Sequence, residues 1–259
     1  MLAQELTNNC TPFAHSFGND VSAAVIGASG GIGSELVEAL CKLPSVTRIY
    51  AFSRTKPQFS NPKIFASTID LEKENTVAAA ADAIGAENSA FDILIVAAGI
   101  LHKQGFLAPE RSLKDVDPES LSAAFRVNTI GPLLIAKHFH PLLPKTKKSV
   151  FAALSARVGS IEDNHLGGWY SYRVSKAGLN MGIKTLSVEL TRLRPLATCV
   201  GLHPGTVATK LSEPFLGRAH KGHVFTPDVA STNLLQVIST LNQKDSGFVL
   251  DWSGKRVPY

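Results

Sequence analysis

The sequence predicts an α/β protein: a doubly wound parallel sheet of about seven strands with helices on both faces, a three-layer αβα sandwich. Two observations predict the architecture and a third its extent. Short apolar runs alternate along the chain with longer stretches of helical period, the pattern of βαβ units on a parallel sheet. A glycine-rich turn joins the first apolar run to the first helical stretch, where doubly wound folds approach a nucleotide. The 259 residues contain no linker, repeat or low-complexity tract. They fit one domain over 1–259, with residues 1–20 as an extension before the first strand.

The elements follow in order. The first strand is expected at 22–26, and a helix from about 32 to 43 stops before Pro44, which a helix interior does not tolerate. Strands are expected at 48–52 and near 64–65, an alanine-rich helix at about 73–84, and a strand at 91–96. A long helix runs from about 118 towards 142, with Pro132 breaking its regularity. The fifth strand spans 149–154, a second long helix about 169–193, and the sixth strand 197–202. A helix begins near Pro227 with Thr226 as the expected N-cap, and a last strand covers 247–250. Connectivity of this kind is Rossmann-type.

Composition narrows the function. Hydrophobic residues at 44% and charged residues at 18% exclude a disordered chain. No run of about 18 apolar residues is present, so no membrane partner is expected. Residues 1–20 hold no continuous apolar run, which argues against a signal peptide. The three cysteines, Cys10, Cys41 and Cys199, are odd in number and far apart, as expected of reduced thiols in a cytoplasmic protein. The net charge of +5 comes from scattered residues. Its one tight cluster, Lys145, Lys147 and Lys148, reads as solvated loop lysines, so nucleic acid is not an expected partner. His102, His138, His140, His165, His203, His220 and His223 lack an H-E-x-x-H context, and no metal site is expected.

Two motifs carry chemistry. Gly27-Ala-Ser-Gly-Gly-Ile-Gly33 lets the backbone turn tightly and come close to a pyrophosphate, which the N-terminus of the following helix attracts. No Lys-Ser/Thr follows the last glycine, so this is not a triphosphatase loop. Tyr172-Arg-Val-Ser-Lys176 places a phenol and an ammonium one helical turn apart. A neighbouring ammonium favours the phenolate and lowers the phenol's pKa, so the pair can hand a proton to a carbonyl oxygen as hydride reaches its carbon. Alone, the spacing also fits an ordinary surface pair; the glycine loop upstream selects the chemical reading. Trp169 reads equally as pocket wall or as core.

From about Ser22 to Tyr259 the chain resembles the short-chain dehydrogenases/reductases. The elements that carry the likeness are the glycine loop, Ala97-Ala98-Gly99, Asn128 within Phe125-Arg-Val-Asn, Ser155, the Tyr172/Lys176 pair, and His203-Pro-Gly-Thr-Val-Ala-Thr209. Ser155-Ala-Arg-Val-Gly-Ser160, Gly167-Gly-Trp-Tyr-Ser-Tyr-Arg173 and the ending Phe248-Val-Leu-Asp-Trp252 resemble the C-factor and sniffer-type carbonyl reductase branch.

The resemblance implies catalytic roles for Asn128, Ser155, Tyr172 and Lys176. Tyr172 would be the general acid, and Lys176 would hold the nicotinamide ribose. Ser155 would bond the substrate oxygen. Asn128 would bend its helix and hold a water linking Lys176 to solvent. Gly27, Ser29, Gly30, Gly31, Ile32 and Gly33 would cradle the pyrophosphate, Asp70 and Leu71 the adenine, and Ala97, Ala98 and Gly99 the next stretch of cofactor. Pro204, Gly205, Thr206 and Val207 would line the nicotinamide, and Thr209 would touch its amide or the phosphates. The family pattern Ser-Ser-x-x-Gly has its second serine replaced by Ala156 here. Ser155 is one residue early, so a bulge would have to re-aim it, and Ser160 is the substitute. Family members occur as homo-oligomers and as monomers.

Cofactor choice is read at the end of the second strand. No Asp or Glu stands in Tyr50-Ala-Phe-Ser-Arg-Thr-Lys56, where an acid would bind ribose hydroxyls and repel a 2′-phosphate. Ser53 and Arg54 offer a hydroxyl and a planar fork to that phosphate instead, which predicts NADP(H). A small-molecule carbonyl or alcohol is the expected substrate, with the segment 210–226 covering the site. Two other readings compete. One is a cofactor-binding redox sensor with little catalysis, which has no need of an intact Tyr–Lys relay. The other is a nucleotide-sugar epimerase or dehydratase, for which the chain after Thr209 is short.

Overall fold

The computed structural model describes residues 13–87, 89–216 and 223–259. Seven strands form one parallel sheet in the order β3-β2-β1-β4-β5-β6-β9. In chain order these are β1 (Val21–Ile26), β2 (Val46–Ser53), β3 (Ile64–Thr68), β4 (Ile93–Val96), β5 (Ser149–Leu154), β6 (Ala197–His203) and β9 (Val249–Asp251). Between the last two lie β7 (Thr206–Val207) and β8 (Val224–Phe225), a separate parallel pair too short to show a sequence period.

The alternation of side chains across each strand fills two cores. Ala23, Val25, Ile93, Ile95, Val150 and Ala152 face one layer, which holds α1 (Gly31–Cys41) and α6 (Pro227–Thr240). Ala24, Ile26, Leu94, Val96, Phe151 and Ala153 face the other, built from α2 (Glu74–Ala86), α4 (Gly131–Phe139) and α5 (Tyr170–Leu193). Strands buried on both faces explain the apolar runs.

The boundaries shift in informative places. Residues 13–17 are helical and bury Phe13 and Phe17 in the first core, so part of the extension is structural; residues 1–12, Cys10 among them, lie outside the described residues, as do His220 and part of the expected cover at 210–226. The long helix expected at 118–142 is four pieces: α3 (Pro118–Phe125), a wide π turn over Arg126–Ile130, α4, and a 3₁₀ turn at His140–Leu142. Prolines are the physical reason: lacking an N–H, Pro132 cannot donate to the Asn128 carbonyl four residues back, nor Pro141 to that of Lys137. Thr226 sits at the N-cap of α6, but its side chain does not cap it.

The strand order places a crevice. The chain moves outward from β1 through β2 to β3, then crosses back to pair β4 on the other side of β1. The loops after β1 and β4 therefore leave the sheet in opposite directions and open the crevice in which such folds bind ligands.

Candidate active site

The turn after β1 is closed by backbone contact. Gly27 has φ +92°, and a Cβ there would stand 2.8 Å from the Ala98 nitrogen. A Cβ on Gly33 would stand 2.1 Å from the Gly27 carbonyl oxygen. Helix α1 starts beyond it at Gly31, with no side-chain cap from Gly30 and no acid in its first turn. Its leading N–H groups and positive dipole end are thus left for an anion. Ser29, Gly30 and Gly31 are exposed and Ile32 is half-buried. A Cβ on Gly31 would meet the Thr209 methyl at 2.7 Å, so Thr209, at the end of the stretch that runs from Pro204 through Gly205, Thr206 and Val207, closes against the helix start.

The outer rim carries the expected adenosine-side residues. Ser53 is buried and its hydroxyl donates to the Thr55 carbonyl. Arg54 and Lys56 are exposed and form no ion pair among the described residues. Asp70 is held by its own turn: its Oδ1 accepts the Glu72 N–H at 3.1 Å, and Lys73 lies 3.7 Å away. Leu71 is buried against Gly131. Ala97, tied by its N–H to Ile26 O at 2.7 Å, leads through Ala98 into the exposed Gly99.

The opposite wall is made of side chains on α5. Lys176 is buried, donates from Nζ to the Leu154 carbonyl at 2.7 Å, and lies 5.8 Å from the Tyr172 ring centre. Asn128, fully buried in the π turn, pairs with the backbone of Ile100 on both sides: Oδ1 accepts its N–H and Nδ2 donates to its carbonyl, each at 2.8 Å. Nδ2 also reaches Ser175 Oγ at 3.0 Å, and Thr129 Oγ1 donates to Ser175 O at 2.6 Å. A Cβ on Gly99 would lie 3.4 Å from Asn128 Oδ1 and 3.6 Å from Lys176 Nζ. Asn128, Gly99, Tyr172 and Lys176 are therefore brought together.

Ser155 departs from expectation. Its N–H donates to Leu202 O at 2.8 Å, so the strand pairing continues through it, and the β5–β6 ladder shows no bulge from Ser149 to Leu154. Its buried hydroxyl donates to Asn180 Oδ1 at 2.5 Å, while Asn180 Nδ2 holds Gly159 O at 3.2 Å. The proton a substrate oxygen would need is already engaged. Ser160 offers no replacement: its hydroxyl donates to Tyr259 O and accepts the Asp163 N–H.

Burial sets the electrostatics. It pushes the Tyr172 phenol up to about 12 and pulls the Lys176 ammonium down to about 8. Desolvation of Tyr172 thus works against the lowering that a neighbouring ammonium brings, and the charge of that ammonium is itself penalised. The phenol keeps its proton at neutral pH.

Two further residues bear on this wall: Trp169, which the sequence left open between pocket wall and core, and Glu110, which it did not single out. Trp169, half-buried at the N-cap of α5, has φ +53° and ψ 42°, the one positive φ outside glycine among the described residues. It is held there by Glu110, whose carbonyl accepts the Trp169 N–H at 2.6 Å. The buried Glu110 carboxylate accepts the Ser171 N–H at 3.1 and 3.2 Å as well as its hydroxyl. An acid at a helix N-terminus is a recognisable cap, but this one comes from 61 residues away.

Among the described residues, no three His, Cys, Asp or Glu side chains converge as metal ligands, and no helix is long and apolar enough to cross a membrane.

A family model described as short chain dehydrogenase matches residues 22–217. C-signal of Myxococcus xanthus is 35% identical over 57% of this chain and 84% of its own length. The NADPH-bound carbonyl reductase from chicken fatty liver superposes with a TM-score of 0.81 at 28% identity, over 96% of this chain and 98% of that one. Carbonyl reductase Sniffer of D. melanogaster gives 0.80 at 26%, over 92% and 99%.

Proposed function

This chain belongs to the short-chain dehydrogenase family of oxidoreductases, and on that premise we propose that it interconverts a small carbonyl compound and its alcohol with NADP(H). The observation that carries the reading is the pairing of a protonated, half-buried Tyr172 with a buried Lys176 on the wall facing the glycine turn.

The residues present fit a dinucleotide. An uncapped helix start, and glycines at 31, 33 and 99 whose added side chains would meet Thr209, Gly27 or Asn128, leave room for backbone to face a pyrophosphate and ribose. Gly27 to Gly33 would hold the pyrophosphate. Arg54, with Lys56 behind it, would hold the 2′-phosphate, since the Ser53 hydroxyl is engaged with Thr55. Asp70 and Leu71 would flank the adenine, Ala97 to Gly99 the adjoining ribose, Tyr172 and Lys176 the nicotinamide ribose, and Pro204 to Thr209 the nicotinamide. When bound, the nicotinamide supplies or accepts the hydride.

The chain's own residues handle the proton. Tyr172 donates to the carbonyl oxygen as charge develops there, a step that raises rates by roughly 10²–10⁴-fold. Lys176 lies one turn away to stabilise the phenolate that results. Asn128 fixes the loop carrying Gly99 and the segment carrying Ser175, so that the lysine keeps its place. Ser155 would assist only by exchanging Asn180 for the substrate oxygen. The intact relay favours catalysis over a sensing role.

Stopped titration at fixed salt, followed by NADPH oxidation against aldehydes and ketones, tests the reading. Tight NADPH binding, weak NADH binding and carbonyl-dependent oxidation are expected. Arg54→Ala should weaken NADPH binding by about tenfold or more and NADH binding little. Equal affinity of the wild-type protein for both cofactors would overturn the NADP(H) assignment, and no turnover with any carbonyl would overturn the reductase reading.

A further inference from the structure

A cavity of about 670 Å³ lies beside the catalytic helix, a size that takes small-molecule ligands. Leu107, Trp169, Pro214 and Phe215 supply its apolar walls. Trp169 connects it to the chemistry: its ring stands 6.3 Å from Tyr172 and 5.2 Å from Phe215. The left-handed backbone that aims this ring is held by Glu110, so the wall is a built feature rather than a loose side chain.

The cavity's charged lining has one sign. Among the described residues, Lys103 and Arg111 are the charged groups that line it, and no carboxylate does. Lys103 belongs to a tight turn in which it and Leu107 exchange N–H···O bonds of 2.8 Å, and its ammonium stands 5.6 Å from the Phe106 ring. Neither Lys103 nor Arg111 forms an ion pair among the described residues. The nearest acid in the chain, Glu110, is turned inward onto the start of α5 and occupied by Ser171. Glu213 precedes Pro214 but does not line the cavity. His102 adds a ring nitrogen 3.0 Å from the Lys210 carbonyl. Apolar walls beneath a cationic rim suit a molecule with an apolar body and a negative end.

Resting on the reductase reading above, we infer that the substrate is a carbonyl compound with an apolar or aromatic body and an anionic group, a carboxylate above all, at the end remote from the carbonyl. The carbonyl meets Tyr172, the body packs on Trp169 and Phe215, and the anion faces Lys103 and Arg111.

Two matched pairs test it with NADPH: 4-carboxybenzaldehyde against methyl 4-formylbenzoate, and 4-formylcinnamic acid against its methyl ester, the second pair spanning a longer distance. The measured quantity is the ratio of kcat/KM, acid over ester, in the wild-type enzyme and in Lys103→Gln/Arg111→Gln. Comparing ratios cancels the intrinsic reactivity of each aldehyde. In at least one pair, the wild-type ratio should exceed that of the double variant by about tenfold at low salt, and the excess should shrink at 0.5 M salt as the exposed charges are screened. A ratio that the double variant leaves unchanged in both pairs overturns the inference while leaving the reductase reading intact. Failure of all four aldehydes to oxidise NADPH overturns the inference, while the wider panel of aldehydes and ketones decides the reductase reading.

Discussion

The two walls of the crevice are made of different material. The wall after β1 is backbone: glycines, uncapped N–H groups and a turn so tight that a Cβ at Gly33 would fall inside the Gly27 carbonyl. The other wall is side chain, drawn from α5, the π turn and the end of β5, and each functional group there is fixed by another residue: Lys176 by Leu154, Asn128 by Ile100, Ser155 by Asn180. The backbone wall is intolerant of added atoms, whereas the side-chain wall is intolerant of lost ones.

Removing an atom from the second wall should have the largest effect. Tyr172→Phe is expected to lower kcat by roughly 10²–10⁴-fold while the NADPH dissociation constant stays within about threefold. A variant keeping more than about a tenth of wild-type kcat would show that the proton comes from elsewhere. Adding an atom to the first wall is the converse. Gly33→Ala should weaken NADPH binding by about tenfold or more and lower the urea midpoint, because the turn must open to admit the methyl group; an unchanged midpoint would mean that the turn yields freely.

Acid should also weaken the fold. His203, at the end of β6, has an Nδ1 that is buried without a hydrogen-bond partner among the described residues. Burial pulls its pKa down to about 4, with the Arg157 charge adding to the shift. Between that value and the unfolded value near 6.5, the unfolded chain binds a proton that the folded chain refuses. Stability therefore falls as pH drops through this window, by up to about 1.4 kcal/mol per pH unit. Urea midpoints measured from pH 7 to pH 4.5 should show the decline, and His203→Gln should flatten it. The smallest expected effect on activity is that of Ser155→Ala. Loss of its bond to Asn180 should cost about 1–3 kcal/mol of stability yet change kcat/KM by less than about tenfold. A loss near 10²-fold would instead show that the hydroxyl turns to the substrate oxygen.

The same contrast explains what could be read without a structure. Backbone devices leave glycines at fixed intervals, so the turn at 27–33 was visible, and so was the Tyr172/Lys176 pair, whose partners are four residues apart. The seven-strand sheet was visible because strands buried on both faces are apolar throughout. Contacts between distant residues left no local trace. Nothing near Glu110 points to Ser171, and nothing near Ser155 points to Asn180. The helical residues 13–17 make little more than one turn, too short for a period to show, although Phe13 and Phe17 reach the core. The π turn had a signal in Pro132, but a proline predicts a break and not its kind.

The order of the strands also constrains synthesis. β1 is the first strand of the sheet to be made and lies inside it, flanked by β2 and β4. Its partner β4 does not begin until Ile93. A growing chain that has reached β3 therefore holds an apolar strand with one open edge, and that edge stays open until the chain has crossed back over the sheet. Pairings of such long sequence separation form slowly and leave sticky edges exposed meanwhile. The crossover that opens the crevice in the finished protein is thus also the interval in which the unfinished one is most prone to aggregate.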